Sequence, residues 1–139
     1  MARHVSRRKT LFTVPDSPDA PPAMLCGRCE CGHVFFPAKR LGCDRCGAHG
    51  DRIEILEVAP LGMLRAFATA HQATRPEGVD PLVVGTVMLD AGPAFEVALD
   101  AREEALAVGQ RVRGLLVESW RDDQGQIVLD CLFAPDEAT

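Results

Sequence analysis

The chain has 139 residues, of which 47% are hydrophobic and 25% charged, with a net charge of −5. That leaves room for one ordinary domain, or for a compact domain with a small stapled appendage, and excludes a large two-domain enzyme. No apolar run approaches the ~20 residues needed to cross a bilayer, which excludes a membrane-embedded protein.

In chain order, residues 1–24 come first. Basic residues open the segment, and the stretch PDSPDAPP then places four prolines where neither a helix nor a strand ladder can propagate. The reading is a flexible N-terminal tail. It lacks the apolar stretch of a secretory signal, so the expected location is the cytoplasm.

Residues 25–51 hold five of the six cysteines, all within CGRCECGHVFFPAKRLGCDRC. In a reducing compartment such a cluster points to a metal site rather than to disulfides. A zinc ribbon presents four sulfurs from two tight turns, because Zn²⁺ takes tetrahedral thiolate coordination. Cys43 and Cys46 form one such turn, C-x-x-C-G. For the other, Cys26 and Cys29 have the common two-residue spacing, whereas Cys29 and Cys31 have a glycine directly after the second cysteine, which frees the backbone to turn. The expected ligands are Cys29, Cys31, Cys43 and Cys46, with Cys26 as the alternative. Four thiolates leave no open coordination position, so the expected Zn is structural. The same ligands would also suit iron in a rubredoxin-like electron carrier. Arg28, Lys39, Arg40 and Arg45 lie close enough in sequence to offset the negative charge of a four-thiolate site.

From residue 52 to 139, β-prone runs alternate with turn signals: RIEILEVA, GMLRAFATAH, PLVVGTVML, AFEVAL, RVRGLLVESW and IVLDCLF. Phe95, Val97 and Leu99 share one face of their run, as do Ile127, Leu129, Cys131 and Phe133 of theirs, the alternation of half-buried strands. Cys131 is therefore expected as a core thiol. Asp90-Ala91-Gly92 and Arg121 to Gly125 carry the Asp and Gly of tight reversals, predicting two hairpins. AREEALAVG is the one helical candidate, with Asp100 and Glu103 placed as a capping box and Gly109 as a stop. The fold class is thus mostly β: a rubredoxin-like zinc ribbon followed by a five-stranded OB-fold barrel with one short helix.

Catalysis by this chain alone is not expected. Acyl-transfer chemistry needs an activated nucleophile beside a base. The cysteines are assigned to metal or core, and His4, His33, His49 and His71 are dispersed. His71 shares a strand face with Arg65 and Thr69, the one weak hint of a ligand-facing surface. Nucleic-acid binding, the rival role for ribbons and OB barrels, wants a basic groove with stacking aromatics. Residues 52–139 instead carry seven Lys/Arg against fifteen Asp/Glu, and the chain has no tyrosine. Nucleic acid is accordingly not the expected partner.

The order of motifs adds a resemblance. R-C-x-C-G-H-V-F-F-P, C-x-x-C-G, P-L-V-V-G-T-V-x-L-D-x-G, V-G-Q-R-V and a closing F-A-P resemble the zinc-ribbon/OB-fold accessory proteins of thiolases, long catalogued as a domain of unknown function. The match runs from residue 25 to about 135. It implies a small non-catalytic partner of a thiolase-fold catalytic subunit, or of a related aldolase or acyltransferase, acting on acyl-CoA. The small subunit of a benzoylsuccinyl-CoA-type thiolase is one example. It also implies that CoA is bound at the interface with that partner. Cys31, Cys43 and Cys46 fall on the family's cysteines. The family's usual first pair would need a cysteine at Arg28, so the ligand moves to Cys29 and Cys26 stays in question. The N-terminal helices common in the family are missing from this chain.

Overall fold

The computed structural model describes residues 4–7, 9–17, 20–38, 42–70 and 81–136. Two β-sheets make up the fold, and among the described residues no helix is long and apolar enough to cross a membrane. Strands are β1 (His4–Ser6), β2 (Met24–Cys29), β3 (Val34–Phe35), β4 (Ile53–Val58), β5 (Leu61–Ala70), β6 (Leu82–Leu89), β7 (Ala94–Ala98), β8 (Arg111–Arg121) and β9 (Ile127–Pro135).

The larger sheet has the order β1-β9-β8-β5-β6-β7 and the smaller β3-β2-β4. In β6 alternate residues are buried, and the inward set Val83, Val87 and Leu89 meets Leu64 of β5, Val112 of β8 and Phe133 of β9 in one core. This is the period-two pattern of a strand with one face on a core. The larger sheet also returns on itself. Leu99, just past β7, forms a parallel bridge with Phe133, and the Asp100 N–H donates to the Phe133 carbonyl at 2.8 Å.

Both expected hairpins form. Between β6 and β7 the Gly92 N–H bonds the Leu89 carbonyl at 2.9 Å, with Gly92 at φ +124°, where a side chain would be strained. Between β8 and β9 the Asp122 carboxylate accepts the N–H groups of Gln124 and Gln126 at 2.9 and 2.8 Å, an Asx-type turn.

Four expectations are corrected. The larger sheet has six strands rather than five, because β1 adds parallel to β9, pairing His4 with Ile127 and Ser6 with Leu129. With this strand goes part of the expected tail. Phe12 is buried and bridges Met24. The short helix is only a 3-10 turn at Glu103–Ala105. Glu103 does not close a capping box, because its carboxylate instead accepts the Thr69 hydroxyl at 2.7 Å. Finally, β4, the first run of the 52–139 segment, pairs with β2 from Met24↔Val58 to Cys29↔Ile53 and so belongs to the smaller sheet.

Phe36, next to β3, ties the two sheets together. Its ring centroid lies 4.6 Å from that of Phe95 in β7, which in turn meets Phe133 edge-on at 5.6 Å. Such aromatic contacts contribute roughly 0.5–1.5 kcal/mol each beyond the area they bury.

Candidate metal centre

Cys29 ends β2, and the chain then reverses. Gly32, at φ +92°, donates its N–H to the Cys29 carbonyl at 2.8 Å, and the Cys29 N–H bonds the His33 carbonyl at 2.9 Å. The second turn repeats the pattern: the Gly47 N–H bonds the Cys43 carbonyl at 2.9 Å with Gly47 at φ +79°, and the Cys43 N–H bonds the Ala48 carbonyl at 2.8 Å. The two turns face each other, and the Sγ atoms of Cys29, Cys31, Cys43 and Cys46 all lie within 4.8 Å of one another.

This donor set fits a tetrahedral ion. Metal–sulfur bonds of about 2.3 Å place sulfurs about 3.8 Å apart. Cys31 and Cys43 stand at 3.8 Å, and Cys29 and Cys46 at 3.4 Å. Four sulfurs complete the coordination, so an ion here would brace the fold and leave no position for substrate.

Local electrostatics favour thiolates unequally. At Cys43 burial opposes ionisation, but the backbone N–H groups of Cys46 and Arg45, helped by the Cys29 and Cys31 thiols, overcome it and hold the group at about 7. The Arg45 N–H lies 3.4 Å from the Cys43 sulfur. At Cys29 the backbone N–H of Cys31 favours the thiolate, yet burial and the bonds shared with Cys46, Cys31 and Cys43 outweigh it and push the thiol up to about 12.

Cys26 is not in the group. Strand side chains alternate, so residues three apart in β2 point to opposite faces. Cys29 packs with Cys43, Phe35, Ala48 and Ile53, whereas Cys26 is fully buried among Phe12, Met24 and Leu64. The two-residue spacing that suggested Cys26 works only in a turn, and here it lies within a strand. Burial raises the Cys26 thiol. Cys131 is likewise a core thiol, pushed up to about 12 by burial and by the charge of Asp130.

Of the basic residues expected to offset the thiolates, Arg28 has a carboxylate partner, Glu54. Arg52 sits 3.7 Å from Glu30. Lys39, Arg40 and His71 lie outside the described residues. His33 stacks beside Phe35, with centroids 5.8 Å apart. Two relationships went unread in the sequence. The Arg7 guanidinium lies 5.3 Å from the centre of the Trp120 ring, and Arg111 grips Asp90. The second had a signal, since both residues sit in quoted motifs.

No family model matches the sequence, and no curated protein matches it. Among solved structures the chain is similar to a chain of the "Ltp2-ChsH2(DUF35) aldolase", with a TM-score of 0.63 and 23% identity, covering 81% of this chain and 84% of that one. At that identity the likeness shows a shared fold alone.

Proposed function

We propose that the chain is a non-catalytic, zinc-binding subunit of a thiolase-type acyl-CoA complex, in the cytoplasm, that docks on and stabilises a thiolase-fold catalytic subunit or a related aldolase or acyltransferase. The observation that carries this reading is the structural neighbour: it shares this fold over most of both chains, and its name joins a DUF35 chain to an aldolase. The motif order read in the sequence points the same way.

The residues have distinct parts in this reading. Cys29, Cys31, Cys43 and Cys46 hold a structural Zn²⁺ and thereby the ribbon, with β4 completing its sheet. Strands β5 to β9 form the OB barrel, a reading supported by the closure of Leu99 on Phe133. CoA lies at the interface with the partner, whose own residues perform the chemistry. The core thiols Cys26 and Cys131 lack the lowered pKa of a nucleophile.

The test is affinity purification of the tagged chain from its native cytoplasm, with mass spectrometry of what co-elutes. A stoichiometric thiolase-fold protein is the expected result. Recovery of nucleic acid, of an electron-transfer enzyme or of the chain alone would overturn it. A red protein containing iron would replace zinc by a rubredoxin-type site.

A further inference from the structure

The four clustered sulfurs are not equivalent. Cys31 and Cys46 are exposed, and Cys29 and Cys43 are buried. Each exposed sulfur stands against a buried one on the opposite turn: Cys46 at 3.4 Å from Cys29, and Cys31 at 3.8 Å from Cys43. Accessible thiols with a resolving thiol beside them are the arrangement by which proteins register oxidants.

We propose that this cluster is a peroxide-responsive site in which oxidation closes two disulfides across the turns, Cys29–Cys46 and Cys31–Cys43, and expels the metal. The inference rests on the metal reading above and adds a reaction to it. Peroxide reaches Cys31 or Cys46 first. The exposed thiolate attacks one peroxide oxygen, breaking the O–O bond to give a sulfenic acid, and the departing hydroxide takes a proton to become water. The facing buried thiolate then attacks the sulfenic sulfur, the S–S bond forms, and a second water leaves. Each disulfide thus gives two electrons to one peroxide. For the loaded site, two peroxides and four protons yield two disulfides, four waters and free Zn²⁺. Disulfide sulfurs no longer supply thiolate donors, so the ion departs.

The crossed pairing has a physical basis and a consequence. An S–S bond needs about 2.05 Å, and the two cross-turn pairs, at 3.4 and 3.8 Å, can close together with little movement, each exposed cysteine onto a buried one. Closure then joins the Cys29–Cys31 turn to the Cys43–Cys46 turn, so covalent links replace the ion as the brace between them. Reduction restores the four donors in place.

The experiment treats the full-length chain, as purified, with hydrogen peroxide, and follows zinc release with a chromogenic chelator, intact mass, and disulfide position after digestion. Trypsin cuts after Arg28, Arg40 and Arg45, and a glutamyl endopeptidase cuts after Glu30, so the four cysteines fall on separate peptides. The expected result is zinc release in step with the loss of four hydrogens, linked peptides Cys29–Cys46 and Cys31–Cys43, and recovery of zinc binding after dithiothreitol. A variant lacking both core thiols, Cys26→Ala with Cys131→Ala, is expected to give the same links. Pairing within a turn, links to Cys26 or Cys131, or sulfinic acids without disulfides would overturn the proposal. A chain purified without metal that still forms the crossed links refutes the metal reading and keeps the pairing. A zinc-loaded chain that forms other links refutes the pairing alone.

Discussion

Arg111 reaches Asp90 with both terminal guanidinium nitrogens, Nη1 donating to Oδ1 at 2.7 Å and Nη2 to Oδ2 at 2.6 Å. The contact joins the start of β8 to the end of β6, which flank β5 in the larger sheet. Two-pronged pairs of this kind fix geometry as well as charge. The hydrogen bond from Arg111, followed by its positive charge, holds the Asp90 carboxyl below its ordinary value of 3.8 despite some desolvation. A depressed carboxyl stabilises the fold above its unfolded pKa, and that contribution fades as the pH falls through the folded value. Both side chains are well exposed, so the effect is modest. Asp90→Asn is expected to lower the thermal midpoint by a few degrees at pH 7. The difference from wild type should fade as the pH falls below 3.8 and through the lowered folded value, as followed by circular dichroism across a pH series.

Removal of the proposed metal would act on a different part of the molecule. The end of the small sheet that carries the cysteine turns packs in a cluster of Cys29, Phe35, Cys43, Ala48 and Ile53, two of them cysteines of the four-sulfur group. The other core cluster holds the larger sheet together with Met24 and Cys26 from the start of β2. Chelation is therefore expected to raise amide exchange in the Cys29 end of β2, in β3 and in the two cysteine turns by at least an order of magnitude, while β6, β8 and β9 keep their protection. Hydrogen exchange with and without chelator measures this directly.

Cys26 and Cys31 separate a core cysteine from a proposed metal ligand. Cys26→Ser places a hydroxyl in a fully buried apolar site, which costs about 1–3 kcal/mol where no partner accepts it. It leaves all four clustered sulfurs in place. Denaturation should show the loss, while elemental analysis still finds one zinc per chain. Cys31→Ser alters an exposed position and is expected to lower zinc content sharply. If Cys26→Ser lost zinc and Cys31→Ser kept it, the ligand assignment would be wrong.

These contrasts follow what the sequence discloses. Local signals were legible: the Asp and Gly of the two hairpins, the alternation in β6 and β9, and the grouping of Cys29, Cys31, Cys43 and Cys46, each set by residues near one another in the chain. Long-range choices were not. Nothing in HVS announces that β1 will lie parallel to β9, more than a hundred residues away, because three residues carry no period and their partner is fixed only by the finished sheet edge. β4 reads as a strand, but whether it joins the ribbon or the barrel depends on the register of β2. AREEALAVG has helical composition. The turn at Glu103 prevails because Thr69 takes the Glu103 side chain and Asp100 is tied to Phe133.

The β1 strap has its own reporter. Arg7 bonds Asp130 of β9 at 2.9 Å and lies over Trp120, the only tryptophan in the chain. Arg7→Ala removes both contacts and frees the ring, which is already half exposed. The expected outcome is a red shift of the tryptophan emission with little change in overall stability, since exposed ion and cation–π pairs contribute about 1 kcal/mol or less. Phe12→Ala acts further along the same segment but in the core. It should cost about 3–5 kcal/mol by denaturant titration.

Two glycines set how closely neighbouring strands and rings approach, and their substitution should differ in cost. A Cβ on Gly27 would stand 2.5 Å from an edge carbon of the Phe35 ring, and a Cβ on Gly62 would stand 2.3 Å from the Met88 carbonyl oxygen. The ring can tilt and take its small sheet with it, whereas the carbonyl belongs to the β5–β6 ladder, where Gly62 pairs with Leu89. Overpacking against side chains costs typically about 1–3 kcal/mol, and a backbone that cannot yield costs more. Gly62→Ala is therefore expected to lose about 3 kcal/mol or more and to destabilise the chain with or without metal. Gly27→Ala should lose less and should weaken chiefly zinc retention, because Phe35 packs against Cys29 and Cys43. Parallel denaturation curves and zinc-competition titrations of the two variants separate these effects. Equal stability losses, with no difference in zinc affinity, would show that the two sheets yield as one unit.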